Sequence, residues 1–360
     1  MIITMAKNNE FTELKKDIRE NTPKSLYLFY GEETYLRDLY TKKLIDLIDD
    51  AGFEEINKIV VDDGKNELAN LPEYLEGFPM MTDKRIVCIK DSGIFKKSDD
   101  KTKKYFTDFF ENLSDVTIVV FVDEVIDKRN ALYKALSKHG SAVEFTPLSE
   151  TDTIAWIVRE ASAKKLRISQ QNAEYMLSIC DNTLGSIENE LNKLAGYCTD
   201  EILQSDIERL VSKSLQVKVF ELCDYMMANN ADKAVNLLTE LKTVKESAFK
   251  ILYILFGTFD KMLHARLMSE SGLPNSDIAA AIKVPPFLAG KYINGSKGFS
   301  KEQLIKMTAS AAEIDLSIKR GESDEWTALE QYVFSFFKMK SEKTRENRRK
   351  QEKNEALKIN

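Results

Sequence analysis

In the segment YLFYGEETYLRDLY, Tyr27 to Tyr40, an apolar run gives way to a glycine and then to an acidic helix start. Strand, glycine and helix in that order open the phosphate loops of nucleotide-binding domains. The chemistry on offer there is phosphate binding by backbone N–H groups at a helix N-terminus. A working loop reads G-x-x-x-x-G-K-[ST], and each position has a task. Gly31 fits the first glycine, but Leu36 stands at the second, where its side chain blocks close approach of the main chain to phosphates. Arg37 takes the place of the lysine. Asp38 takes the place of the hydroxyl that faces Mg²⁺, and sets a carboxylate beside the nucleotide's own charge. Glu32 and Glu33 would repel a triphosphate, although they suit the positive end of the helix that follows. The frame of a phosphate loop is predicted here without its chemistry, and no nucleotide or other cofactor is expected.

Other constellations carry less. VVFVDE, ending in Asp123 and Glu124, resembles the acidic strand end that holds Mg²⁺ in ATPases, but it comes one strand after IVCIKD, which ends in Asp91 alone. Without a phosphate loop it reads as a strand end whose carboxylates face solvent. His139 and His264 are the only histidines, too few for a His-based triad or metal site. Cys88, Cys180, Cys198 and Cys223 form no C-x-x-C pair and read as small buried hydrophobes in a reducing compartment. No paired carboxylate is marked out by spacing, so no catalytic site and no metal site are predicted.

The elements that would position these residues alternate at first. SLYLFY (25–30), INKIVVDD (56–63), KRIVCIKD (84–91), VTIVVFVD (116–123) and AVEFTPL (142–148) read as strands. Helical stretches separate them: EETYLRDLYTKKLIDLID, NELANLPEYLEG, KKSDDKTKKYFTDFFENL and KRNALYKALSKHG. Continuous Val, Ile and Leu runs between helices indicate a parallel sheet covered on both faces, in a doubly wound α/β domain.

After Pro147 the strand signal stops. Short helices follow, with Ser205 and Glu208 spaced as a capping box. From about Leu215 the helices lengthen; one of them begins with a second box, Ser300 and Gln303, and stops at Gly321. Aromatic-rich YVFSFFKM and AFKILYILF fit either a filled core or a helix–helix interface. The chain therefore divides into an α/β domain over 1–148, a small helical domain over 149–213, a larger all-helical domain over 214–338 and a charged tail over 339–360. Asp315 and Lys319, four apart, can pair on one helix face.

A length of 360 residues agrees with two or three domains. The N-terminus has too short an apolar run for a signal peptide, and no apolar stretch reaches the ~18–20 residues of a membrane span. A soluble cytoplasmic protein without a membrane partner is expected. Net charge is −6, from 52 basic and 58 acidic residues, which argues against gripping nucleic acid over the whole surface. The basic tail KMKSEKTRENRRKQEKNEALKIN reads either as a solvated, frayed segment or as a contact with DNA or a partner.

In order along the chain, YLFYGEETYL, GFPMMTDKRIVCIKD, NELNKL and EIDLSIKRG resemble the delta-subunit family of bacterial DNA polymerase III, over about residues 20 to 338. The resemblance implies an ATPase-like α/β domain, a lid-like helical domain and a helical collar. It also implies a place in the clamp loader beside sister subunits, without ATP binding, and contact with the ring-shaped sliding clamp that favours an opened ring for placement on primed DNA. In the family the clamp-contacting element follows the second helix of the first domain, as a Pro and apolar residues, often Leu–Phe, before an R-[LIV]-V strand. Here Gly77, Phe78, Pro79, Met80 and Met81 precede Arg85, Ile86 and Val87, so Met80 and Met81 take the apolar pair. Methionine fills pockets of less fixed shape, and Phe78 can supply the missing ring. The other reading of GFPMM is a turn tucked into its own core.

A rival lies in SDIAAAIKVPPFLAGKYINGS, which has the cadence of a helix-turn-helix in a DNA-binding regulator with an ATPase-like domain. Against it, Lys283 stands where the turn usually takes Gly, Pro285 and Pro286 constrain the second helix, and little beyond Lys291 and Asn294 could read base edges. Weak or no DNA binding by the chain alone is expected.

Overall fold

The computed structural model describes residues 9–49, 51–284 and 286–338. The basic tail and Pro285, both singled out above, lie outside the described residues, as do residues 1–8. Two compact units emerge: the first runs to Ser178 and resumes over Asn182–Val211, while the second takes Ile179–Asp181 and the chain from Ser212 onward.

The first unit is built on five parallel strands, β1 (Leu26–Tyr30), β2 (Lys58–Val61), β3 (Arg85–Lys90), β4 (Thr117–Asp123) and β5 (Ser141–Glu144), in the order β2-β3-β4-β1-β5. Every residue of β1 and β4 is buried, which is why these strands carry unbroken apolar runs rather than alternation. Cys88, in the middle of β3, is buried and its thiol is pushed up to about 12 by that burial. The helices in this sheet region are α1 (Asn9–Glu20), α2 (Thr34–Asp46), α3 (Glu54–Asn57), α4 (Leu71–Leu75), α5 (Asp100–Glu111) and α6 (Ala131–His139). Phe95, Phe106 and Phe110 pack edge-on to Phe121 of β4 beneath α5, at centroid separations of 5.2–5.9 Å. On the other side Phe11 of α1 and Phe29 of β1 meet Phe145, at 5.6 and 5.3 Å.

The helix expected over NELANLPEYLEG is corrected to α4 alone. Pro72 can begin a helix but cannot continue one, and Asp63 instead closes a turn on Asn66. Helices α1 and α3 carried no sequence prediction.

Four helices complete the first unit: α7 (Glu150–Ala163), α8 (Gln170–Ile179), α9 (Leu184–Tyr197) and α10 (Gln204–Leu210). Trp156 of α7 is buried and meets Tyr35 of α2 edge-on at 5.7 Å. Strand structure does not end at Pro147: β6 (Arg167–Ile168) pairs in parallel with β7 (Glu201–Ile202). These two-residue strands are too short to leave a period in the sequence. Nor do Ser205 and Glu208 form a capping box. Helix α10 begins at Gln204, and the Asp206 carboxylate accepts the Leu203 N–H at 2.9 Å, so Ser205 lies inside the first turn.

The second unit is all-helical: α11 (Leu215–Met227), α12 (Ala231–Thr243), α13 (Ala248–Glu270), α14 (Asn275–Ala281), α15 (Pro286–Lys297), α16 (Lys301–Lys319) and a helix over 325–338. Its core gathers Phe220, Leu255, Phe259, Phe299, Tyr332 and Phe336. Ser300 and Gln303 cap α16 reciprocally, at 2.8 and 3.2 Å, and Gly321 comes just past its end with φ +72°. Asp315 and Lys319 pair at 2.5 Å.

Candidate functional site

Three residues separate β1 from α2, so the loop at Gly31 is tighter than a phosphate loop. Leu36, Arg37 and Asp38 all fall within the helix: Leu36 is buried, Asp38 is exposed, and Arg37 folds back to donate from Nη1 to the Gly31 carbonyl at 3.0 Å. Three amides of the loop are engaged with carbonyls. Gly31 donates to Glu124, Glu33 to Phe145 and Thr34 to Glu32, at 3.2, 3.0 and 3.0 Å. Gly31 has φ +113°, and a Cβ there would overlap the Phe145 carbonyl. Burial pushes the Glu33 carboxyl up, with the Tyr35 and Leu36 amides opposing. What this loop does chemically is close the β1–β5 edge on itself.

Asp123 departs from its expected position in solvent. It is buried and accepts from Ser92 Oγ at 2.9 Å and from the Gly93 N–H at 3.3 Å, while Glu124 is exposed. The carboxylate ties the end of β4 to the turn after β3, a partner that strand periodicity cannot reveal. Burial raises its pKa, with the Ser92 and Gly93 hydrogen bonds opposing. Among the described residues no cluster of three or more His, Cys, Asp or Glu side chains is arranged to hold a metal ion.

The segment Gly77–Lys84 joins α4 to β3 and does not tuck into the core. Phe78 is 77% exposed, Met81 81% and Met80 42%. Its backbone is nonetheless held at Met80, and Arg85 packs against its start. Arg85 is buried at the start of β3, donates to the Tyr74 carbonyl, and fills the space in which any side chain at Gly77 would have to sit. Asn57, fully buried at the end of α3, exchanges two hydrogen bonds with the Met80 main chain, each of 2.8 Å. Met81 comes next with φ +59°. The result is an apolar tip on a fixed loop, with α4 as the fourth helix of the chain rather than the second. Sequence reasoning missed Asn57 altogether and saw in Arg85 only a strand start. Both act on residues distant in sequence, so spacing holds no signal for them.

In the second unit the helix-turn-helix cadence is real: α14 and α15 flank a turn in which Lys283 has φ +54°. Ala289, Tyr292, Ile293 and Ser296 of α15 are buried. On its exposed side Lys291 sits over the Phe220 ring at 4.2 Å, its pKa lowered by burial against the pull of Asp224. Asn294 accepts from Lys297 at 3.3 Å. Of the aromatic-rich helices, Tyr332 and Phe336 belong to the core, whereas Phe249, Tyr253 and Phe334 are exposed. Phe249 and Tyr253 line a groove of about 650 Å³ whose far side carries Ala312, Asp315 and Ile318.

The model for "DNA polymerase III, delta subunit" matches residues 27–146, and that for the delta subunit's C-terminal domain matches 216–336. The chain is 26% identical over 332 residues to DNA polymerase III subunit delta of Bacillus subtilis, covering 90% of this chain and 96% of the relative. It is 21% identical over 315 residues to the probable DNA polymerase III subunit delta of Aquifex aeolicus, covering 84% and 89%. In solved structures, the fold is that of the Bacillus subtilis DNA clamp loader delta protein: TM-score 0.62 and 24% identity, over 91% of this chain and 99% of that one.

Proposed function

We propose that this chain, which belongs to the DNA polymerase III delta subunit family, is a component of the clamp loader that binds the sliding clamp and favours its opening for loading onto primed DNA. The observation that carries this reading is the exposure of Phe78 and Met81 on a loop whose backbone is clasped at Met80 by Asn57 and whose start packs against Arg85. An apolar side chain held out by a fixed backbone loses little conformational freedom when it enters a pocket. Met80 and Met81 are the anchor, and Phe78 supplies the ring that the pair lacks; Pro79 stiffens the segment between them.

Opening needs no bond-making chemistry. The chain must bind an opened or distorted ring better than a closed one, since a ligand shifts an equilibrium only by its differential affinity. The self-satisfied loop at Gly31 supports a division of labour in which this subunit neither binds nor hydrolyses ATP, and partner subunits use ATP to expose or hide its anchor. The 149–213 region is the lid-like domain. The 214–338 region is the collar through which sister subunits join, and its exposed Phe249, Tyr253 and Phe334 support that role. Primed DNA is met by the assembled complex rather than by this chain alone.

The test is a cognate clamp carrying a donor–acceptor fluorophore pair across one ring interface. Saturating the clamp with this chain, without nucleotide, is expected to lower energy transfer. Unchanged transfer on a clamp shown to be fully bound would remove ring opening from the function.

A further inference from the structure

We propose that Asn57 is a positioning residue that sets the conformation of the clamp-binding loop; the inference rests on the reading of Phe78–Met81 as the anchor. Asn57 is itself fixed to the sheet. Its N–H donates to the Phe53 carbonyl at 2.9 Å, closing α3, and the next residue, Lys58, opens β2 in register with Ile86 of β3. From that place its carboxamide reaches across 23 residues of sequence to Met80: Nδ2 donates to the Met80 carbonyl and Oδ1 accepts the Met80 N–H. A carboxamide is the side-chain group that offers a donor and an acceptor side by side at this reach. Aspartate would accept and not donate, and glutamine would push the loop out by one carbon. Reversing the carboxamide would set donor against donor and acceptor against acceptor, so the orientation is determined by the pair.

The residue after the clasp makes the consequence specific. Met81 has φ +59°, a region that a residue with a side chain occupies only where its surroundings over-determine it. Asn57 fixes the peptide groups on both sides of Met80, and so fixes the direction in which the Met81 chain leaves. Without the clasp Met81 relaxes to a commoner backbone region and the apolar tip is presented as an ensemble. Binding then has to order it.

The experiment measures affinity for the cognate clamp, without nucleotide, for the full chain as wild type, Asn57→Ala, Asn57→Asp, Met80→Ala/Met81→Ala, and each Asn57 variant in the double-alanine background. Asn57→Ala is expected to weaken binding about tenfold, and Asn57→Asp, which keeps the shape and loses the donor, by several-fold. In the double-alanine background neither is expected to add more than about twofold, because a residue acting through the anchor has nothing left to position. Amide hydrogen exchange provides the second readout: the Met80 N–H loses protection in Asn57→Ala while the Val87 and Val120 amides in the sheet keep theirs. Full additivity, or wild-type affinity in Asn57→Ala where the double-alanine variant is weakened, overturns the positioning role and leaves the anchor standing. Wild-type affinity in the double-alanine variant removes the anchor itself, and this inference with it. If Asn57→Ala loses the sheet protection, Asn57→Asp alone decides by the same criteria.

Discussion

Arg37 stands at the lysine position of a phosphate loop and spends its guanidinium on the Gly31 carbonyl, 3.0 Å away. The group that would have gripped a phosphate instead closes the loop that would have held it. Isothermal titration with Mg-ATP is expected to show no saturable binding to the wild-type chain. Arg37→Ala is expected to lower stability by about 1–2 kcal/mol, the worth of a partly buried charge-assisted hydrogen bond, and to leave clamp affinity unchanged. Micromolar ATP binding would contradict the division of labour proposed for the complex.

Gly31→Ala is expected to be the more damaging change. Its φ of +113° already disfavours any L side chain, and the added methyl would press on the Phe145 carbonyl. Displacing β5 from β1 is expected to cost roughly 2–4 kcal/mol in chemical denaturation. Gly52→Ala is the control. There the φ is also positive, at +84°, but nothing lies within 4 Å of the new Cβ, so only the backbone cost of about 1 kcal/mol remains.

Acidification should reveal Asp123. Burial raises its carboxyl pKa in the folded chain above the unfolded value of about 3.9. The folded state then holds the proton more tightly than the unfolded state, so the contribution of this group falls as pH rises through the folded pKa. The difference in Tm between wild type and Asp123→Asn is therefore expected to move in favour of wild type as pH falls from about 7 towards about 4. A trend of the opposite sign would mean that the hydrogen bonds from Ser92 and Gly93, rather than burial, dominate.

Lys291 tests the DNA-binding alternative. Its ammonium lies over Phe220 rather than outward. Lys291→Ala is expected to cost about 0.5–1 kcal/mol of stability, with no change in the salt-dependent affinity for duplex DNA. A regulator reading DNA with α15 would lose duplex binding in the same variant.

The middle of the sheet was legible because buried parallel strands are apolar on both faces, as β1, β3 and β4 are; the edge strands β2 and β5 are only partly buried, yet all five runs from Leu26 to Glu144 appear where the sequence puts them. Local chemistry was legible too, as the Ser300–Gln303 box and Gly321 show. Most of what escaped depends on partners far along the chain. Asp123 looked like a solvent-facing strand end until Ser92 closed on it. Ser205 had the right spacing for a cap and the wrong helix start. The α1 pattern, Phe11 and Leu14 with a buried Asp17, makes sense only once Tyr27 is seen donating to that carboxylate at 2.9 Å. At the candidate site the exposed residues could be located by order of motifs, but the residues that hold them could not. Asn57 in INKIVV has nothing in its neighbourhood to announce Met80.

The proposed clamp contact is the tip of one loop, engaged without ATP. Surface-immobilised cognate clamp, titrated with the purified chain in the absence of nucleotide, tests it most directly. Wild type is expected to bind tightly, and Met80→Ala/Met81→Ala to lose at least about a hundredfold, as removal of two clustered anchors would. Undiminished binding by that variant would remove Met80 and Met81 as the anchor, and no binding by the wild-type chain would remove clamp binding itself.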